Sequence, residues 1–295
     1  MHQTPPNGAI EWLIEPRDAN VGTIPVRRVL PWRRHRMVGP FIFVDVMGPV
    51  DFAAGDGVDV DAHPHIGLAT ITYLVEGRLT HRDSLGTVQE IASGAVNWMT
   101  AGSGVTHTER TVTADRPTGS RLFGVQSWVA LPDEGQDVGP SFAHLDADDV
   151  PTVDVDGVIV RVAVGRGWGV GSPVAGASSL ILAALALDGE RNIDGLPIPA
   201  DHPERAVLCL DGNLALERTQ LDPGHLAVLA AGAEPRLTGT GRAMVLGGDP
   251  VGPRHIWWNF VHSDPERIEQ AKRRWRDQDF PKVPGDHDPY VRLPS

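Results

Sequence analysis

Two short pairs of side chains carry the chemical signal in this chain. His63 and His65 are separated by one residue, and so are His107 and Glu109 in Val105-Thr-His-Thr-Glu109. Residues at i and i+2 of a strand point to the same face. Two such pairs on neighbouring inward-facing strands would gather three imidazoles and one carboxylate around a point. That donor set suits a borderline divalent ion, namely Fe, Mn, Co, Ni, Cu or Zn. Four protein ligands on a six-coordinate ion leave two positions for water, dioxygen or a chelating substrate. A closed structural zinc site would more often be rich in Cys, and the one cysteine, Cys209, lies in the other half. A third pair, His81 and Asp83, also shares a strand face. It reads as an outer layer behind the metal ligands or as a surface ion pair.

The elements that must position these pairs read as strands. Gly (33) and Pro (25) punctuate short apolar runs, the pattern of an all-β body with many turns. One strand-rich stretch spans roughly 27–131 and a second roughly 158–246. They can be laid on each other. Thr72-Tyr-Leu-Val-Glu-Gly-Arg-Leu79 resembles Val207-Leu-Cys-Leu-Asp-Gly-Asn-Leu214. Ser93-Gly-Ala-Val-Asn-Trp-Met-Thr-Ala-Gly102 resembles Pro223-Gly-His-Leu-Ala-Val-Leu-Ala-Ala-Gly232, after a connecting turn five residues shorter. Two copies of one unit predict two similar barrels or sandwiches in tandem.

The repeat is also an internal control. His63 and His65 fall on Ile198 and Ala200, and His107 and Glu109 fall on Leu237 and Gly239. A lone His-x-His is common and proves little. Both pairs together, lost where the scaffold persists, point to a metal site in the first half only. After the second half, Ser263-Asp-Pro-Glu266 has the form of a capping box, and Ile268, Ala271 and Trp275 follow at helical spacing. One short C-terminal helix is expected. The domains read as 1–135 with the metal, 136–262 without it, and 263–295 as helix and tail.

Bulk properties narrow the function. Hydrophobic residues make up 41% of the chain, enough for a packed core. A formal net charge of −12 argues against nucleic acid or an anionic membrane as main partner. The start, MHQTPPNGAIEW, has no signal-peptide pattern, and no apolar run reaches membrane-span length. A single cysteine precludes an intrachain disulfide and fits a reducing compartment. The expected location is the cytoplasm. The arginines at 27, 28, 33, 34 and 36 read as a solvated basic edge rather than a docking patch.

Longer strings resemble a known family. Gly57 before His63-x-His65, Gly77 after the next strand, and Gly94, Gly102 and His107 resemble the two cupin motifs. His63-Pro-His-Ile-Gly67, Thr72-Tyr-Leu-Val-Glu-Gly77, His81-Arg-Asp-Ser-Leu-Gly86, Trp98-Met-Thr-Ala-Gly102 and His107-Thr-Glu109 are similar to pirins, a branch of bicupins. So are Val38-Gly-Pro-Phe41, Gln126-Ser-Trp128, Leu131-Pro132, Ile256-Trp-Trp-Asn-Phe260 and Glu269-Gln-Ala-Lys272. The resemblance implies an all-β fold of two tandem cupin (jelly-roll type) barrels, with iron in the N-terminal one. Residue by residue, it implies His63, His65, His107 and Glu109 as ligands. One position departs: many pirins have Glu where this chain has Ala69, which removes an acid that could have lain near the metal.

Two functions follow from the resemblance. One is a quercetin 2,3-dioxygenase-like activity on a flavonol or other enolic small molecule, using dioxygen, with Glu109 as the base that takes the substrate's hydroxyl proton. The other is a non-enzymatic, iron-dependent regulator that docks to a protein partner. Open coordination positions favour the enzyme.

Overall fold

The computed structural model describes residues 8–174, 176–191 and 194–294. The fold is all-β with two cupin domains and one α-helix among the described residues. No helix among them is long and apolar enough to cross a membrane.

The chain forms two compact units that interleave in sequence. One contains residues 1–17, 27–46 and 148–250; the other contains 18–26, 47–147 and 251–295. The expected domains were contiguous segments. The observed units exchange ends, because Ile24–Leu30 and Phe41–Phe52 each carry residues of both.

The unit that holds His63 has a four-stranded sheet in the order Asp59–His65, Val105–Thr111, Arg78–Asp83, Val88–Ala92. Leu68–Glu76, Val96–Thr100 and Ser120–Ala130 of the same unit belong to a seven-stranded sheet, and His255–Trp257 pairs with Phe260–His262 in a separate two-stranded one. Val58, Val60, Leu74, Leu79, Ile91 and Leu122 pack into one apolar cluster. These residues come from both sheets, so the sheets close over a shared core.

The unit that holds Cys209 is built on a ten-stranded sheet. Its core includes Val160, Val162, Leu185, Val207, Leu214, Leu237 and Val245. Each of its long strands alternates apolar residues inward, as a barrel wall requires.

The proposed repeat is visible in strand register. Ile71, Thr72 and Tyr73 pair with Trp98, Asn97 and Val96. Their aligned counterparts Ala206, Val207 and Leu208 pair with Val228, Ala227 and Leu226, in the same register. Further along, the alignment needs correcting by two residues. His63 pairs with His107, whereas the amide of Ile198 bonds the carbonyl of Pro235. Glu109 pairs with His81, whereas Leu216, the residue aligned with His81, pairs with Leu237. The counterparts of His107 and Glu109 are therefore Pro235 and Leu237, not Leu237 and Gly239. The connection is shorter in the second half. Neither Pro235 nor Leu237 offers a metal-ligating side chain.

The helix runs Pro265–Arg276 and buries Ile268, Ala271 and Trp275. Its cap is Asp264, which accepts from the Glu266 amide, rather than Ser263. Ser263 is held by Gln136 instead, through its amide and its hydroxyl.

Candidate metal centre

His63, His65 and His107 converge as their spacing predicts. One ring nitrogen from each lies within 4.8 Å of the other two. All three rings are buried, at 8%, 1% and 2% exposure. His65 Nε2 and His107 Nε2 are 3.1 Å apart. Two imidazole nitrogens bound at right angles to one ion, each about 2.1 Å from it, would be roughly 3.0 Å apart. The spacing therefore matches two adjacent ligands.

A bulge prepares the first strand for this role. His107 pairs with His63, but Glu109 pairs with Val60, so the strand of His63 carries one extra residue between them. The Asp61 carbonyl accepts a bond from His63 Nδ1 at 2.8 Å, and the Ala62 carbonyl accepts from the Val291 amide. His65 Nδ1 donates to the Asn259 carbonyl at 3.2 Å. His107 Nδ1 lies 3.4 Å from His81 Nδ1, and His81 Nε2 lies 3.2 Å from Asp83 Oδ2. Read as a chain of donors, His107 donates to His81 and His81 donates to Asp83. Each of the three histidines then carries its proton on Nδ1 and offers the Nε2 lone pair inward.

The electrostatics favour the metal-binding form of each ring. Burial lowers His63 to about 4, opposed in part by the Asp61 carbonyl. Burial, and then neighbouring imidazoles, hold His65 and His107 well below the usual histidine range. All three are neutral at pH 7, as ligands must be. Three neutral imidazole donors near a buried carboxyl are a good fit for a divalent ion.

Glu109 lies on the same strand, two residues past His107, and outside the 4.8 Å group. Burial pushes its carboxyl up, offset in part by His81 and by a hydrogen bond from Thr72. The Thr72 hydroxyl also lies 2.8 Å from the Gln126 side-chain amide. His81 and Asp83 are not at the surface: their exposures are 5% and 0%. Burial disfavours the Asp83 charge, but bonds from His81 and Thr87 outweigh it and hold the carboxyl below its usual range. Asp83 Oδ1 also accepts from the Leu85 and Thr87 amides.

Four further residues complete the surroundings. Trp128 packs edge-on against His65, ring centroids 5.2 Å apart, and Phe142 stacks on His81 at 4.7 Å. Trp128, Gln126 and Asn259 lie in strings that carried the resemblance, yet nothing in the sequence assigned them these positions. Phe142 had no sequence signal. Ala69 proves less consequential than expected. Thr72 faces Glu109 and Leu74 joins the core, so by strict alternation Ala69 points to the other face of its strand. An acid there would not point at this centre.

The second unit treats the matching place differently. Arg205, 2% exposed, donates to the carbonyls of Pro199, Ala233 and Ala230. Pro199 and Ala233 match Pro64, between His63 and His65, and Val105, at the start of the strand of His107. A buried guanidinium ties those positions where the first unit has histidines.

Comparison with known proteins agrees with this geometry. Residues 23–129 match the family model "Pirin" and residues 185–281 match "Pirin C-terminal cupin domain". A pirin-like protein of Caulobacter vibrioides is 42% identical over 97% of this chain and 100% of its own length. A crystal structure described as quercetin 2,3-dioxygenase from Acinetobacter baumannii has a TM-score of 0.87, with 32% identity over 96% of this chain and 95% of that one. A second structure so described, from the same organism, has a TM-score of 0.84 at 26% identity, over 94% of this chain and 98% of that one. With both halves matched and the fold shared along nearly its whole length, the chain belongs to the pirin family of bicupins.

Proposed function

We propose that this protein is an iron-dependent dioxygenase of the quercetin 2,3-dioxygenase type, acting on a flavonol or another enolic small molecule. Its metal ligands are His63, His65, His107 and Glu109. The observation that carries the reading is the convergence of three buried, neutral imidazoles that present Nε2 to one point, on a strand that also brings a buried carboxylate. The Acinetobacter structures described as quercetin 2,3-dioxygenase support the reaction class.

When bound, a divalent iron supplies Lewis acidity and open positions for substrate oxygen and dioxygen. The protein's own residues do the rest. His63, His65 and His107 fix orientation, each locked by the partner of its Nδ1. Glu109 takes the proton of the substrate hydroxyl, and burial raises its affinity for that proton toward the useful range. Trp128 and Phe142 pack against the site histidines and limit water there. His81 and Asp83 keep His107 in the required tautomer.

The test is Glu109→Gln in iron-loaded protein. Turnover of a panel of flavonols and enols is measured per bound iron at saturating substrate. Glutamine keeps a weakly ligating oxygen and removes the basicity, so the rate per iron should fall on the order of 10²–10⁴-fold. A rate per iron near wild type would remove Glu109 as the base. A wild type that turns over none of the panel would favour the regulator.

A further inference from the structure

A cavity of about 650 Å³ lies in the unit that holds His63 and shares no residue with the candidate metal centre. The C-terminal helix, the segment after it and Trp257 before it form it. Its volume is within the range of small-molecule pockets, roughly 300–1,000 Å³. Trp257, Lys272, Arg276, Tyr290, Arg292 and Leu293 line it, over a floor of Trp275.

The lining has an unusual charge. Among the described residues it contains three cations and no carboxylate side chain, in a chain of net charge −12. Lys272 is engaged, with Glu269 at 2.7 Å and the Trp257 ring 4.4 Å from its ammonium. Arg276 and Arg292 are exposed and have no carboxylate partner among the described residues. The aromatic part is rigid. Trp275 is 1% exposed, donates to the Val291 carbonyl at 2.9 Å, and meets Tyr290 edge-on at 5.6 Å. The helix and the following segment are thereby fixed on each other, and the pocket is preformed. Two flat rings and a leucine offer stacking surface, while two guanidiniums offer planar, bidentate donors for oxyanions.

We propose that this cavity binds a small planar aromatic anion, such as an arene carboxylate, with its ring against Trp257 and Tyr290 and its charge on Arg276 and Arg292. Size, apolar walls and unopposed cations together favour such a ligand over a bare inorganic anion, which would leave the aromatic walls unused. The proposal is independent of the reaction at the metal centre.

Isothermal titration of the metal-loaded full chain with benzene-1,3-dicarboxylate tests it. Saturable binding is expected, at least about tenfold weaker in Arg276→Gln/Arg292→Gln and weakened by added salt. Both arginines are exposed, so the double variant should fold and keep its metal. The neutral benzene-1,3-dicarboxamide should bind at least about tenfold more weakly. Absence of saturable binding, equal binding of the diamide, or unchanged affinity in the double variant would overturn the proposal. So would binding of a hexaglutamate peptide without binding of the aromatic dicarboxylate, which would mark a docking surface for an acidic peptide.

Discussion

His65 Nε2 and His107 Nε2 face each other at 3.1 Å, and each ring has its Nδ1 committed elsewhere, to the Asn259 carbonyl and to His81. If both rings carry the Nδ1 proton, neither Nε2 can donate to the other. Two lone pairs brought this close in a buried site are mutually repulsive until a cation lies between them. The arrangement is therefore one that metal binding relieves, and metal should stabilise the fold.

Behind His107, the chain through His81 to Asp83 should tune affinity without touching the metal. Asp83→Asn keeps the shape and an acceptor oxygen but removes the charge at the end of that chain. Metal affinity, measured by chelator competition, should fall about 10–100-fold. Unchanged affinity would mean that His81 and Asp83 only fill space.

The metal-free protein should lose stability as pH falls. Folded His63 is lowered to about 4 from 6.5, and His65 and His107 are held well below 6.5 by burial and then by neighbouring imidazoles. Above about 6.5 the imidazoles are neutral whether the chain is folded or not, and they contribute no pH dependence. Below it the unfolded chain takes up protons that the folded sites refuse, so stability drops as pH falls from 6.5 toward 4. Glu109, whose carboxyl is pushed up, works in the opposite direction, but as one group against three. Thermal melts of metal-free protein over this window should show Tm falling. A flat or rising Tm would contradict the burial of neutral imidazoles.

In the second unit, Arg205→Met removes three hydrogen bonds to the carbonyls of Pro199, Ala230 and Ala233 while keeping most of the apolar stem. A loss of about 2–4 kcal/mol in urea unfolding is expected, with metal content unchanged because the centre lies in the other unit. An unaltered midpoint would show that the guanidinium is no strut.

Much of this was legible in the sequence because strands write their geometry in period two. The His-x-His and His-x-Glu spacings placed three imidazoles on one inward face, and the Thr72–Asn97 and Val207–Ala227 pairs show that the two halves do share a register. The bulge before His63 was invisible, since one extra residue leaves no compositional trace. The same is true of the shorter connection that makes Pro235 rather than Leu237 the counterpart of His107. The partners of His63 and His65 are backbone carbonyls, which any residue type at positions 61 and 259 would supply. The interleaving of the two units depends on strands that pass between them, and no local pattern encodes that.

The most direct test is the position and amount of metal. Anomalous diffraction at the iron edge should show one peak per chain, bounded by Nε2 of His63, His65 and His107, with the Glu109 carboxylate in bonding distance. Metal analysis of the same preparation should give about one ion per chain, and His107→Ala should lose most of it while keeping the second unit folded. A peak among residues 190–240, two ions per chain, or full occupancy in His107→Ala would contradict the account.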